Sequence, residues 1–229
     1  MPIDQIVKKT ANKVANNFAD HVAASSVAER KPVINLENVI KDFKVGKNQV
    51  RVLRGLDLKI FAGEFVIMFG QSGCGKSTTL NTIMGLEPPT SGDVFVRDVN
   101  LYNLSDDERA KYRQTKFGMV SQQPNWIKSL NVVENVAYPL MISGAKRHEA
   151  LARAKHALDV FGLAEYAKYT PTELSGGQQQ KVSMCRAFMT NPWMLVADEP
   201  TGNLDSKSAE EVMNIFKLIN EEAKRTILI

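Results

Sequence analysis

Three short runs in this sequence hold residue types at spacings that chemistry requires. The first is GQSGCGKST, residues 70–78, which fits G-x-x-x-x-G-K-[ST] at every fixed position. Gly70, Gly73 and Gly75 let the backbone curl through Gln71, Ser72 and Cys74, so that successive N–H groups face a phosphate. Lys76 is placed to reach the β- and γ-phosphates of a nucleotide, and the Ser77 hydroxyl, with Thr78 beside it, to ligate Mg2+, which prefers oxygen. Cys74 has two readings: a thiol whose oxidation blocks nucleotide, or a small residue that fits. The second run, WMLVADEP, places Asp198 and Glu199 at the carboxyl end of an apolar stretch. Open α/β sheets bind ligands there. Asp198 is the candidate Mg2+ ligand, and Glu199 the candidate base that polarises an attacking water. The third run, LSGGQQQKV, sets two glycines at the start of a helix, although each costs roughly 0.5–1 kcal/mol there relative to alanine. Ser175 is the expected cap, with the N–H groups of Gly176, Gly177 and Gln178 pointing outwards as an anion site. That site could serve a nucleotide held by another molecule, or fold round to the chain's own.

The surrounding pattern supplies the elements that position these runs. VINLENVIKDF and VRVLRGLDLKI read as strands, with KVGKNQ as the turn between them. EFVIMFG reads as a strand buried on both faces, leading into the phosphate loop. KSTTLNTIMGL follows as a helix ending near Gly85, and PPTSGDVFVRDVNL as turn plus strand. Residues 131–168 are mostly helical, with Leu151, Ala154, Leu158 and Phe161 at helical spacing. WMLVADEP is a second buried strand. SKSAEEVMNIFKLINEEAKR is an amphipathic helix, with Ala209, Val212, Met213, Phe216 and Ile219 on one face, and TILI opens a further strand. Alternating strand and helix after residue 64 predict an α/β fold: a mainly parallel sheet with helices on both faces.

Composition narrows the setting. With 229 residues, 44% hydrophobic and 24% charged, the chain is an ordinary globular one, long enough for one good core and a small subdomain. A net charge of +4 does not argue for nucleic acid, and two cysteines make no disulfide framework. No apolar run reaches the roughly 18 residues of a membrane span. Residues 1–32 read as an N-terminal extension. Val7, Ala11, Val14, Phe18 and Val22 recur at helical spacing, which fits either an amphipathic helix on a membrane or partner, or a polar extension; the second is the expected reading.

GQSGCGKST, LSGGQ, VADEP and GNLD over residues 33–229 together resemble the ATP-binding cassette (ABC) ATPases. The resemblance implies a P-loop NTPase fold with an N-terminal antiparallel β subdomain and a helical subdomain near residues 124–175. It implies binding of ATP and Mg2+ and hydrolysis of ATP. It also implies a homodimer in which the signature of one copy closes on the ATP held by the other, and docking on a membrane-spanning permease subunit. Phe43 stands where an aromatic residue stacks on adenine, with a buried core phenylalanine as the rival reading. Gln122, with Gln123 as an adjacent competitor, matches the glutamine that contacts Mg2+ and water, and Asp205 the acid that crosses the dimer axis.

ADEPTGNLDS and ENVAYPLMISG resemble the branch that serves lipoprotein release, macrolide and peptide efflux, and cell division. That implies a subunit energising export or mechanotransmission, cytoplasmic and peripheral on the inner face of the cell membrane through its partner. The alternatives are a tether at a division site or membrane complex, with slow hydrolysis, and an ATPase acting on nucleic acid. Long heptads, a CxxC pair and a second phosphate loop, which nucleic-acid relatives often carry, are not in the sequence. Lys181 and Ser121 depart from the family pattern, which has arginine and an aromatic residue there. The family's histidine beyond the last strand has no counterpart, since His21, His148 and His156 all precede Asp205. The chain stops inside a predicted strand; either it is a fragment cut at Ile229, which is the expected reading, or the cassette lacks this switch histidine.

Overall fold

The computed structural model describes residues 31–229. The helical spacing from Val7 to Val22 lies outside the described residues. In chain order the elements are β1 (Ile34–Val45), β2 (Asn48–Ile60), β3 (Phe65–Val66), α1 (Lys76–Ile83), β4 (Ser91–Val96), β5 (Val99–Asn100) and α2 (Asp106–Lys116). Then come β6 (Phe117–Ser121), α3 (Val132–Ile142), α4 (Arg147–Val160), α5 (Gly176–Phe188), β7 (Met194–Asp198), α6 (Ser206–Ala223) and β8 (Thr226–Leu228).

Two sheets result. The antiparallel sheet has the order β2-β1-β4-β5, and the parallel sheet the order β3-β8-β7-β6. The β1–β2 hairpin turns at Gly46 and Lys47, so the strands run further into KVGKNQ than expected, with Val45 paired to Asn48. The parallel sheet is covered on both faces, and β7 shows how. Successive strand side chains point to opposite faces. Met194 and Val196 pack in one core with Leu80 and Ile83 of α1 and with Met84, which caps it. Leu195 and Ala197 pack in another with Met184 of α5 and Val212 and Phe216 of α6. A third core is helical: Val132, Val136 and Leu140 of α3 meet Ala150, Ala154 and Leu158 of α4. Val182 and Cys185 of α5 join that cluster, so α5 contributes to the helical core and to the sheet core at once.

EFVIMFG departs from its expected burial. Only Phe65 and Val66 take ladder geometry, although Met68 N still donates to Ile229 O at 2.6 Å. Ile67 is 42% and Phe69 88% exposed. The reason is topological: β3 is the edge strand of the described sheet, with β8 on one side only. A continuous apolar run looks the same in sequence at an edge and in the middle. α2 and β6 were not anticipated. α2 has no buried residue and therefore no apolar stripe.

Phe216 is fully buried between α6 and the sheet. Phe216→Ala is expected to lower unfolding free energy in urea by about 3–5 kcal/mol. A loss below about 1 kcal/mol would contradict this packing.

Candidate active site

The phosphate loop joins β3 to α1. Gly75 stands at the helix start with φ 102°, a left-handed conformation that side chains resist. A Cβ there would also meet Val52 Cγ1 at 3.1 Å and Leu53 Cδ2 at 3.2 Å, so the β1–β2 hairpin packs directly on the loop. The first turn of α1 carries no acid and no side-chain cap, which leaves its positive end to an anion. Lys76 Nζ donates to Gly70 O at 2.8 Å and Gln71 O at 3.2 Å, and Glu199 Oε1 lies 3.8 Å from it. A Cβ on Gly70 would stand 2.5 Å from Cys74 Sγ, so the thiol fills the space a side chain at residue 70 would need. This favours Cys74 as a small residue that fits.

Ser77 Oγ donates to Asp198 Oδ1 at 3.0 Å, joining the start of α1 to the end of β7. One hydroxyl and one carboxylate suit Mg2+, whose remaining positions go to water and phosphate oxygens. Among the described residues no cluster of three or more His, Cys, Asp or Glu side chains forms an all-protein metal cage. Glu199 follows Asp198 with φ 45°. A left-handed glutamate is uncommon, and such strain gathers at functional sites. Gly202 N closes the turn by donating to Glu199 O at 3.1 Å. A Cβ on Gly202 would lie 2.9 Å from Gln122 Nε2 and 3.5 Å from Glu199 Oε2, so amide and carboxylate flank the same glycine. Gln123 and Gln122 both line a cleft of about 180 Å3 with Pro124, Gly176 and Asn203. Phe43 is half-buried and outside the buried core clusters. It pairs with Val50 on the hairpin whose Val52 touches Gly75.

At the third run, Ser175 caps α5 as expected, but its hydroxyl accepts from Gln178 N at 3.3 Å while Gln178 Oε1 accepts from Ser175 N at 2.8 Å. The Gln178 N–H is therefore consumed by a capping box and does not point outwards. The two glycines also have different reasons. Gly176 is exposed, whereas Gly177 is buried against α6, where a Cβ would meet Ser208 Oγ at 2.8 Å and Ser208 Cβ at 2.9 Å. Ser208 in turn donates from its N–H to Asp205 Oδ1 at 3.0 Å and from its hydroxyl to Asp205 Oδ2 at 2.6 Å. These bonds, the hydroxyl's first, hold the Asp205 carboxyl below its ordinary range. Lys181 Nζ donates to Glu211 Oε2 on α6 at 2.5 Å, a second tie between the two helices. Sequence reasoning did not anticipate Trp126, Gln179, Gln180 and Arg186. Trp126 Nε1 donates to Gln179 Oε1 at 2.9 Å, Gln180 Nε2 to Ser121 O at 3.2 Å, and Arg186 NH1 to Asn125 O at 2.9 Å. The QQQ run was the visible signal, but its partners Trp126 and Ser121 lie more than fifty residues away.

A phosphate loop between strand and helix, with a strand-end aspartate bonded to its serine, defines a P-loop NTPase. The sequence pattern of the ABC transporter family matches residues 53–202. MJ0796, an ABC transporter ATP-binding protein of Methanocaldococcus jannaschii, is 42% identical over 86% of this chain and 86% of its own length. Its dimeric structure in a post-hydrolysis state, bound to ADP and Pi, has a TM-score of 0.79 at 41% identity, covering 85% of this chain and 86% of that one. The lipoprotein-releasing system ATP-binding protein LolD of Colwellia psychrerythraea is 41% identical over 82% of this chain and 73% of its own. The macrolide export ATP-binding/permease protein MacB of Azoarcus sp. is 41% identical over 90% of this chain and 32% of its own length. The chain belongs to the ABC transporter family: it is an ATP-binding subunit of a transporter and an ATPase.

The Gly177 contact gives a sharp expectation. Gly177→Ala gains up to about 1 kcal/mol of helix propensity but forces α5 away from Ser208, which costs about 1–3 kcal/mol. Its melting temperature should fall, and Ser208→Gly should restore it. A rise on Gly177→Ala would show that the helices do not touch there.

Proposed function

We propose that this chain is the hydrolysing cassette of an exporter or mechanotransmitting complex, working as a homodimer beneath a membrane-spanning permease subunit. The observation that carries the residue roles is the convergence of Lys76, Ser77, Asp198 and Glu199 at one end of the parallel sheet. Residues 33–229 form the ATPase domain, with a helical subdomain near 124–175, and residues 1–32 an extension. ATP lies over residues 70–78, its base against Phe43. Mg2+ fits between Ser77, Asp198 and Gln122, and when bound supplies positive charge to the phosphate oxygens. Lys76 exchanges its carbonyl partners for phosphate oxygens. Glu199 accepts the proton of the attacking water, which Gln122 helps to orient.

The signature at Ser175, Gly176, Gly177 and Gln178 acts on the ATP of the second copy, with Asp205 at the dimer axis. The ADP- and Pi-bound MJ0796 dimer supports this, as does the exposed start of α5. LolD and MacB, named for lipoprotein release and macrolide export, support a membrane partner and a place on the inner face of the membrane. Among the described residues no helix is long and apolar enough to cross a membrane.

Glu199→Gln should keep ATP binding, lower turnover by about 10²–10⁴-fold and trap an ATP-dependent dimer in size-exclusion chromatography. Loss of ATP binding would remove its role as base. Ser175→Arg should abolish turnover while the isolated chain binds ATP as before. Full activity in that variant would contradict a site built across two copies.

A further inference from the structure

We propose that Gln180 and Arg186, which touch neither nucleotide nor water in the reading above, are positioning residues that couple Gln122 to the helix presenting Ser175. This rests on the proposed function, in which Gln122 serves the chain's own ATP and Ser175 that of the second copy.

The segment from Ser121 to Trp126 hangs from α5 at both ends. At one end the Gln180 amide, only 2% exposed, donates to Ser121 O at 3.2 Å. At the other, the Arg186 guanidinium donates to Asn125 O at 2.9 Å and stacks 4.5 Å from the centre of the Trp126 ring. Trp126 Nε1 closes the grip on Gln179 Oε1, and Gln179 Nε2 donates to Leu174 O at 3.0 Å, the residue before Ser175. Between the anchors Gln122, Gln123 and Pro124 form an arch over the cleft they share with Gly176 and Asn203. Six residue steps of helix separate Gln180 from Arg186, about 9 Å at the α-helical rise. Four residue steps separate Ser121 from Asn125, at most about 14 Å of chain. The arch is thus fixed to the sheet at Ser121, which pairs with Asp198, and to α5 at Asn125 and Trp126, so movement of α5 against the sheet displaces the residues between.

Because Gln122 Nε2 and Glu199 Oε2 flank the same glycine, Gly202, a shift of α5 becomes a shift of Gln122 relative to the carboxylate. α5 is suited to carry that shift, since its residues pack into both the helical core and the sheet core. Pressure on Ser175 from one ATP thus reaches Gln122 at the other.

The test is steady-state ATP hydrolysis by the full chain carrying Gln180→Met, Arg186→Met, Gln122→Ala and the two doubles with Gln122→Ala. Misplacing Gln122 should lower kcat about ten- to a hundredfold in either single variant, with KM and melting temperature near wild type. Arg186→Lys, which keeps a donor, should recover part of the loss. In the Gln122→Ala background neither substitution should lower kcat further. Wild-type kcat in both single variants, or losses that multiply undiminished on Gln122→Ala, would overturn the coupling. Should Gln180→Met fail to fold, Arg186→Met and its double decide alone. Wild-type protein with no ATP turnover would instead defeat the proposed function.

Discussion

One hydrogen bond organises the molecule: Ser77 Oγ to Asp198 Oδ1, 3.0 Å. It joins residues 121 positions apart, and it forms only if the carboxyl ends of β3 and β7 lie on the same edge of the sheet. A parallel sheet guarantees this, because every strand ends on that edge and each crossover helix starts there. β8 inserts between β3 and β7, so the loop that follows one strand faces the acids that end another. Covering both faces of β7 with α1 on one side and α5 and α6 on the other keeps the sheet rigid beneath the contact. The antiparallel hairpin completes it by pressing Val52 and Leu53 against Gly75.

The second constraint is that α5 serves two cores. Its first turn carries the capping box of Ser175 and Gln178, its middle grips the Gln122 arch, and its two faces divide between helical and sheet packing. Gly177 lets α6 approach, which brings Ser208 and the Asp205 cap against the same helix start. The acid at Asp205 and the glycines at 176 and 177 are thus one structural unit within a chain.

What could be read from sequence was what is local. The phosphate loop, the acid pair in WMLVADEP and the cap at Ser175 depend on neighbours within a few residues, and each stands where its pattern put it. α2 was equally local, since Ser105 and Glu108 form a capping box, but without a buried face it left no periodic signal. The failures are of another kind. The exposure of Phe69 depends on which strand is an edge, and the need for glycine at 177 depends on Ser208, thirty-one positions on. The Gln178 N–H was placed outwards because the anion-site reading ignored the S-x-x-Q box in the same residues. The anchoring of Ser121 and Asn125 by Gln180 and Arg186 is tertiary and has no spacing to betray it.

The most direct measurement of the central claim is ATP binding to Asp198→Asn by calorimetry, with and without Mg2+. If Ser77 and Asp198 hold the metal, wild type binds ATP more tightly when Mg2+ is present, and Asp198→Asn loses that gain while keeping its Mg2+-free affinity. An undiminished Mg2+ effect in Asp198→Asn would show that the metal is held elsewhere.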